Sequence, residues 1–389
     1  MSLLKLKRSS VHRITCAVVI AEIGRLRESD LVPSISGDWP EAMPIGDEGI
    51  GLDSLEQLGA LGALAETFNL DDGILGEESP QTVGAWIDLI MRGISQPDAS
   101  ITVRSSGTTD RPQPYPHRVS ELLEEASFLA GLLEGRRRVV ALVPAHHLYG
   151  MIWTALLPDA LGIPVVMRKV GTPLSLQPGD LVVAVPDQWR ALLRLTRRFP
   201  PDVIGVSSGG ALDTTIGTEL IVAGLARLVD VYGASETGAI AIRDVPAMAY
   251  HLLPRWNLMA LADGDWQLVD LRGAVAALPD FVERIDDRSL RLAGRRDGAV
   301  QVAGHNVSPE RIAAILREVV GVVDAAVRLS ADGRLKAFVV TPDHRNPSEL
   351  LSMLELTASA RLPFHERPRY FSFGDVLPRN GMGKLKDWD

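Results

Sequence analysis

Three stripes of hydrophobic residues, spaced three or four positions apart, predict helices near the N-terminus. They run along residues 11–23, 55–68 and 83–90, and this spacing places each stripe on one face of a helix. Asp53 and Thr82 precede the second and third stripes, where a short polar side chain can accept hydrogen bonds from the first helical turn. The sequence therefore predicts an all-α module at the start of the chain.

After residue 100 the pattern changes to short apolar runs that alternate with helix-like stretches. Such runs occupy residues 139–143, 165–167, 181–185, 203–206 and 228–231. Runs that are apolar at nearly every position are typical of parallel strands buried on both faces. We therefore predict a doubly wound α/β domain with a largely parallel sheet.

The last part of the chain predicts a small α+β module. A helical stretch at residues 309–319 precedes β-type runs at 325–329 and 335–340, and the turn Asp332-Gly333 separates these runs. The whole chain is therefore predicted to be multidomain. The expected domains are an all-α module at 1–95, a large α/β lobe at 100–295 and a small lobe at 296–389.

Composition and charge limit the functions open to the chain. It has 389 residues, a net charge of −9 and one cysteine, Cys16. The negative charge argues against nucleic-acid or anionic-membrane surfaces, because both partners favour basic faces. One cysteine excludes an intramolecular disulfide framework and a cysteine-based metal cluster. No run approaches the ~20 apolar residues of a membrane span, so we expect a soluble, cytoplasmic protein without nucleic-acid or membrane partners.

Ser54 lies at the predicted first turn of the second helix, directly after Asp53. A hydroxyl at this place is accessible to a modifying enzyme, and a helix N-terminus favours a phosphodiester anion. The residues Asp-Ser-Leu also begin many unmodified helices, so a structural role stays open. The segments G-I-G-L-D-S-L-E-Q-L, A-E-T-F-N-L and T-V-G-A-W-I-D-L-I resemble acyl and peptidyl carrier proteins over about residues 9–93. The resemblance implies a four-helix bundle, with 4′-phosphopantetheine attached at Ser54 by a phosphopantetheinyl transferase.

A series of motifs follows in the rest of the chain. A loop of hydroxyls and glycine after a strand suits polyphosphate, because backbone N–H groups and hydroxyls can converge on its oxygens. The series is Ser105-Ser106-Gly107-Thr108-Thr109, Ser208-Gly209-Gly210-Ala211, Tyr232-Gly233-Ala234-Ser235-Glu236-Thr237-Gly238, Asp280, Gly294-Arg295, residues 304–310 and residues 378–384. In order and spacing this series resembles the adenylate-forming superfamily, which includes acyl- and aryl-CoA synthetases and the adenylation domains of peptide synthetases.

The second resemblance implies an ATP site. Ser235 would contact the α-phosphate, and Asp280 would bind the ribose hydroxyls with Arg295 nearby. The implied ATP- or AMP-binding residues are Ser105, Ser106, Gly107, Thr108, Thr109, Gly209, Gly210, Ala211, Tyr232, Gly233, Ser235, Asp280 and Arg295.

The resemblance also implies catalytic residues. Glu236 would hold Mg²⁺, since an anionic oxygen ligand suits that hard cation. Lys384 would reach the substrate carboxylate and the bridging oxygen, where an ammonium stabilises displacement at the α-phosphate. His147 is the third candidate catalytic residue. Without the surrounding motifs, Glu236 would be interpreted as a solvated loop carboxylate and Lys384 as an exposed lysine of the C-terminal tail.

The acyl pocket is expected directly after the strand at residues 139–143. Two adjacent histidines point to different sides, so at most one of His146 and His147 faces substrate, and each could instead only bond its neighbours. Aromatic and small residues would accommodate a flat ring. The predicted pocket residues are His146, Tyr149, Gly150 and Gly238.

Three positions depart from the pattern of the superfamily. Asp110 and Gln113 follow the phosphate loop where many relatives have Gly and Lys, and Gln301 lies where many relatives place a lysine that serves thioester formation. A carboxylate adds negative charge near phosphates, and a glutamine cannot replace a cation. Turnover is therefore a weaker expectation than nucleotide binding.

Together the motifs predict an ATP-dependent acid–thiol ligase. It would activate a small aryl or acyl carboxylic acid as its adenylate and load the phosphopantetheine thiol on Ser54, because a tether raises the effective thiol concentration to roughly mM. A downstream synthase or acyltransferase of secondary metabolism would consume the product. The alternatives are an acyl- or aryl-CoA ligase that uses free coenzyme A, and a non-catalytic nucleotide-binding scaffold in a biosynthetic complex.

Overall fold

The computed structural model divides the chain into two compact units. Among the described residues, those up to Trp256 form the first unit and those from Asn257 onward form the second. The predicted boundaries near residues 95 and 295 do not coincide with this division, because the N-terminal helices share one hydrophobic core with the α/β lobe. The structure describes residues 5–27, 38–71, 73, 80–96, 98–104, 113–262, 264–296, 298–302, 305–341, 347–379 and 385–388.

The three hydrophobic stripes form the helices α1 (Arg8–Leu26), α2 (Ser54–Phe68) and α3 (Val83–Gly93). Helix α2 begins after Asp53 because the side chain of Asp53 accepts a 2.8 Å hydrogen bond from the backbone N–H of Glu56, while the Glu56 carboxylate accepts one from the backbone N–H of Asp53. The hydroxyl of Thr82 caps α3 by accepting a 3.2 Å hydrogen bond from the backbone N–H of Ala85. A four-helix carrier bundle is not evident among the described residues.

Helix α1 packs on the α/β part of its own unit. Val11 and Ile14 are fully buried in a core that also contains Trp153. The Ser9 hydroxyl donates a 2.7 Å hydrogen bond to the carboxylate of Asp159. The first helix is therefore a structural part of the large unit.

The strands of the first unit confirm the predicted α/β lobe. A hairpin of β1 (Ser100–Arg104) and β2 (Pro114–Arg118) precedes the main sheet. The main-sheet strands of this unit run in the order β9-β8-β7-β6-β5-β3-β4, parallel from β4 to β7 and antiparallel at β8 and β9. Their bounds are β3 (Arg138–Ala141), β4 (Val165–Met167), β5 (Asp180–Ala184), β6 (Ile204–Ser207), β7 (Arg227–Ala234), β8 (Gly238–Asp244) and β9 (Tyr250–Leu252).

Helical segments connect these strands. A π-helical turn, Ile152–Leu156, lies between two short helices, and turns of this kind are frequent at functional sites. The α-helices are α4 (Val119–Gly131), α5 (Leu148–Met151), α6 (Leu157–Leu161), α7 (Pro186–Leu195) and α8 (Thr214–Val222).

The second unit contains short antiparallel strands followed by a small α+β module. The core of that module is formed mainly by α9, α10 and the strands β17 and β18. The elements are β10 (Trp256–Ala260), β11 (Trp266–Asp270), β12 (Val275–Ala277), β13 (Asp280–Arg284), β14 (Ser289–Arg295), β15 (Val300–Val302), β16 (His305–Val307), α9 (Pro309–Arg317), β17 (Asp324–Leu329), β18 (Leu335–Val340), α10 (Pro347–Arg361) and β19 (Tyr370–Gly374).

Within the described ranges, no helix combines the length and the apolar character that a bilayer span requires.

Candidate active site

The carboxyl ends of neighbouring parallel strands bring two predicted nucleotide segments together. Ser207, the last residue of β6, is in register with Asp230 of β7, so the segments that follow these strands leave the same sheet edge. Ligands of open α/β sheets bind outside this edge. The Ser208 hydroxyl donates a 2.9 Å hydrogen bond to the carbonyl oxygen of Val231, and Gly209 has a φ of +79°, which suits glycine.

Tyr149 connects the predicted acid pocket to the same edge. Its hydroxyl lies 3.0 Å from the carbonyl oxygen of Ala184 and 2.9 Å from that of Val206, at or near the ends of β5 and β6. Burial raises the pKa of this phenol well above its usual value, so it remains a hydrogen-bond donor. At Gly150 an added Cβ would lie 1.9 Å from the carbonyl oxygen of Pro144. The close approach of these two backbone segments therefore requires glycine.

The two adjacent histidines have different environments. Their ring centroids are 4.0 Å apart with the planes tilted by 49°. His146 is half-buried and His147 is exposed. Burial, with a smaller contribution from His147, lowers the pKa of His146 to about 3, and its Nδ1 atom has no hydrogen-bond partner among the described residues. His146 is therefore a neutral imidazole near neutral pH.

The segment from Tyr232 to Gly238 forms the end of β7 and the turn into β8. Tyr232 is buried, and its ring meets the ring of Tyr250 edge-on at 5.9 Å. The Thr237 hydroxyl accepts from the backbone N–H of Ala234 at 3.3 Å, which closes the turn. The side chain of Glu236 is exposed at the tip of this turn.

Behind this turn lie side chains that the sequence analysis missed. His117 of β2 is buried, and its Nε2 atom lies 2.7 Å from the carbonyl oxygen of Ser235. Glu125 of α4 is half-buried, with its carboxyl oxygens 3.3 and 3.4 Å from the backbone nitrogen of Ala239. Burial raises the pKa of Glu125 to about 7. The sequence contains a sign that Glu125 faces the core, because this residue lies at helical spacing between the apolar Leu122 and Leu129.

The second unit brings together the predicted ribose pair. Asp280 of β13 and Arg295 of β14 are in register across the strand pair, and their charged atoms are 3.8 Å apart. Asp280 is buried. Gln301 lies in β15 of the same unit.

Some predicted site residues lie outside the described residues. They are Ser105, Ser106, Gly107, Thr108, Thr109, Asp110, Gly304 and Lys384. Ser54 is described and is exposed at the first position of α2.

The described residues contain no group of three or more His, Cys, Asp or Glu side chains arranged to hold a metal ion. Mg²⁺ is usually bound by one or two carboxylates together with substrate phosphates and water. A single exposed carboxylate on the turn, that of Glu236, therefore fits this mode of binding.

Comparisons with known proteins identify the class. No protein-family model matches the sequence. The chain is 37% identical over 366 residues to a 4-coumarate–CoA ligase of Halorhodospira halophila, covering 90% of this chain and 93% of that relative. It is 36% identical over 405 residues to a 4-coumarate–CoA ligase of Rhodobacter capsulatus, covering 97% of this chain and all of that relative.

A solved o-succinylbenzoate CoA synthetase of Bacillus subtilis shares the fold. Its TM-score is 0.62 at 20% identity, over 77% of this chain and 73% of that protein. The fold thus places the candidate site at the carboxyl edge of the parallel sheet. The identity and coverage of the two sequence relatives show that the chain belongs to the adenylate-forming family of acyl- and aryl-CoA ligases.

These matches also bear on the N-terminal module. An alignment over 97% of this chain necessarily includes nearly all of the N-terminal helices, so they are shared with a relative named as a CoA ligase. The comparisons do not show a fused carrier domain. They also do not show the phosphopantetheine arm or the transferase partner that such a domain would require. They favour the alternative with free coenzyme A.

Proposed function

We propose that the protein activates an aryl carboxylic acid of the hydroxycinnamate class, such as 4-coumarate, with ATP and transfers it to free coenzyme A. The carboxylate attacks the α-phosphorus and pyrophosphate leaves; the thiol then attacks the acyl carbon and AMP leaves. The relatives named as 4-coumarate–CoA ligases support the substrate class. The observation that carries the proposal is the position of the Tyr149 hydroxyl. It links the short helix α5 (Leu148–Met151), which we call the pocket helix, to the ends of β5 and β6.

The proposed roles of the other residues are those that the resemblance to the adenylate-forming superfamily implies. The Ser208–Ala211 segment and the turn after β7 leave one sheet edge, so ATP bound there has its phosphates close to Ser235 and Glu236. Bound Mg²⁺ would offset phosphate charge during displacement, with Glu236 as its protein ligand. In the second unit, Asp280 would bind the ribose, and Lys384 remains the proposed catalytic cation.

The pocket helix suits a flat acid. Tyr149 presents a half-buried ring beside the strand ends, and its hydroxyl is already bonded to main-chain carbonyls, so the ring is fixed in orientation. A fixed aromatic ring offers stacking to another ring. The pKa of His146 is lowered to about 3, so this residue adds no positive charge, and the exposed His147 remains the proposed catalytic histidine.

The test measures acid-dependent chemistry directly. The purified protein is given ATP, Mg²⁺, coenzyme A and a panel of aryl and alkyl acids, and pyrophosphate release and thioester mass are followed. We expect release with 4-coumarate that yields its coenzyme A thioester. Glu236→Gln should lower the rate at least ~10-fold, about 1.4 kcal/mol of transition-state stabilisation, whereas Glu134→Gln, an exposed carboxylate of the same unit, should have no effect. Absence of release with every acid, despite ATP binding, would instead favour the scaffold.

Self-loading at Ser54 is a second candidate function, supported by a separate observation. Ser54 is exposed at the start of α2, and the neighbouring Leu55 and Leu58 are 70% and 67% exposed, which leaves an apolar surface for a modifying enzyme. Co-expression with a phosphopantetheinyl transferase followed by intact-mass measurement tests this. One added arm on the wild type and on Ser127→Ala, but none on Ser54→Ala, supports the candidate. An unmodified wild type rejects it.

A further inference from the structure

We propose that Glu125 is a positioning residue that, together with His117, holds the turn of Ser235 and Glu236 from behind. This inference rests on the proposed function, because it assigns the turn to adenylation. It concerns two side chains that were not among the predicted site residues. They belong to β2 and α4, which lie outside the turn in the sequence.

The two side chains hold opposite ends of the turn. A carbonyl oxygen can only accept, so the Nε2 atom of His117 carries the proton and donates to Ser235 at 2.7 Å. At the other end, the backbone N–H of Ala239 donates to the Glu125 carboxyl at 3.3 to 3.4 Å. These are long contacts for hydrogen bonds, so their strength depends on the charge of the acceptor.

Gly238 makes the approach of Glu125 possible. An added Cβ at Gly238 would lie 2.7 Å from the Oε2 atom of Glu125, and Gly238 has a φ of +74°. A side chain at this position would therefore displace the carboxyl as well as strain the backbone. The carboxyl of Glu125 fills the space that this glycine leaves behind the turn.

Stability does not account for a carboxyl at this position. Among the described residues, the nearby Arg255 pairs with Glu121 at 3.0 Å, and no ion pair forms with Glu125. Burying a carboxylate that forms no ion pair costs free energy, and a glutamine of the same shape would accept the same hydrogen bond at lower cost. The charge of Glu125 therefore points to a role in holding the turn.

Ionisation of Glu125 should control this support near neutral pH. Burial raises the pKa of Glu125 to about 7, whereas the Ala239 N–H and the charge of Arg255 lower it. Within the described part of the chain, the other titratable and charged groups around the turn include Tyr115, whose pKa is raised by burial and by the charge of Glu236, and His117, whose pKa burial lowers. Glu121 and Arg255 lie nearby as well. Above pH 7 the carboxylate accepts more strongly from Ala239, so we expect the adenylation rate to rise through this pH.

The first experiment measures acid-dependent exchange of labelled pyrophosphate into ATP between pH 5.5 and 9. For Glu125→Gln we expect an about tenfold lower kcat above pH 7, a KM for the acid within about twofold of wild type, and no inflection near pH 7. Thioester formation from a supplied acyl-adenylate should be unchanged. Glu124→Gln, the exposed neighbour, should behave as wild type. An inflection that persists in Glu125→Gln, or an unchanged kcat, overturns the proposal.

A second measurement does not depend on activity. Hydrogen exchange of the backbone amides at residues 235–239, followed by mass spectrometry on the free protein at pH 8, should be faster in Glu125→Gln and in His117→Ala, and unchanged in Glu124→Gln. Equal exchange in all variants contradicts the positioning role. A wild type without acid-dependent exchange of pyrophosphate would instead reject the proposed function, and this readout keeps the two failures apart.

Discussion

The hydroxyl of Ser10 donates a 3.0 Å hydrogen bond to the carbonyl oxygen of Ala155. Ser10 lies in the first turn of α1, and Ala155 lies in the π-helical turn that follows the pocket helix. The Asp159 carboxylate is the second acceptor within reach of the same hydroxyl, whose single proton the two acceptors share, and Ser10 is 1% exposed. The first helix is thus bonded directly to the segment beside the candidate acid pocket.

Deletion of residues 1–95 should therefore unfold the first unit or leave it inactive. The deletion exposes the part of the core that α1 covers, where Val11, Ile14 and Val19 are fully buried. Each such side chain stabilises by about 1.5–3 kcal/mol, and a domain has only about 5–15 kcal/mol in total. Circular dichroism and thermal melting check this. A truncated protein that melts cooperatively and retains full ligase activity would show that the module is an independent domain.

Asp159→Ala should destabilise the contact between α1 and the rest of its unit. The carboxylate accepts from the hydroxyls of Ser9 and Ser10 and lies 3.5 Å from the guanidinium of Arg13. The carboxylate is half-buried, and Ser10 can still donate to Ala155. We therefore expect a loss in the lower part of the range for an unsatisfied buried donor, about 1–2 kcal/mol, and a melting temperature lower by a few degrees. Asp187→Ala, which removes a partly exposed ion pair within one helix, is the control and should change stability by less than about 1 kcal/mol. Equal losses of stability in Asp159→Ala and Asp187→Ala would contradict the role of Asp159 in holding α1 to the rest of its unit.

Glu125→Gln should stabilise the protein above pH 7 and not below about pH 4.5. The pKa of Glu125 is raised from 4.5 to about 7, so the folded state binds this proton more tightly than the unfolded state. The wild type therefore loses stability as the pH rises from 4.5 through 7, and the variant does not. Because the side chain is half-buried and partly solvated, we expect a difference of about 2 kcal/mol at pH 8. Urea unfolding at pH 5 and pH 8 measures it. If the variant and the wild type differ in free energy of unfolding by the same amount at pH 5 and pH 8, the raised pKa of Glu125 is contradicted.

The local pattern of hydrophobic and polar residues was sufficient to predict individual helices and strands. The periodic stripes and the caps at Asp53 and Thr82 predicted three helices that the structure contains. The apolar runs likewise predicted the parallel strands, because both helix periodicity and two-sided burial leave a direct trace in the order of residues.

Tertiary partners could not be predicted in this way. A helix stripe shows that one face is buried but not what covers it, so α1 was assigned to a separate module although it packs beside Trp153. Polar residues at the start of α1, among them Ser10, resemble a solvated helix end until Asp159 is placed next to them. Glu125 was missed for the same reason, because its hydrogen bond to Ala239 spans 114 positions in the sequence.

Arg243→Met should destabilise the strand pair that leads into the nucleotide turn. The Nε atom of Arg243 donates a 2.9 Å hydrogen bond to Asp230, and the Tyr250 hydroxyl donates a 2.6 Å bond to the same carboxylate oxygen. Both charged side chains are almost completely buried. Removing one partner of a buried pair costs about 3–5 kcal/mol, because the other charge stays buried without compensation.

A second ion pair on the same two strands is the matched control for that prediction. Arg227 and Asp244 also join β7 to β8, at 2.7 Å, but their side chains are 31% and 58% exposed. Arg227→Met should therefore cost only about 1 kcal/mol or less. Since Asp230 precedes Tyr232 by two residues on β7, Arg243→Met should also weaken ATP binding at temperatures below its melting transition, whereas Arg227→Met should not. Equal losses of stability in the two variants would show that burial does not set the strength of these pairs.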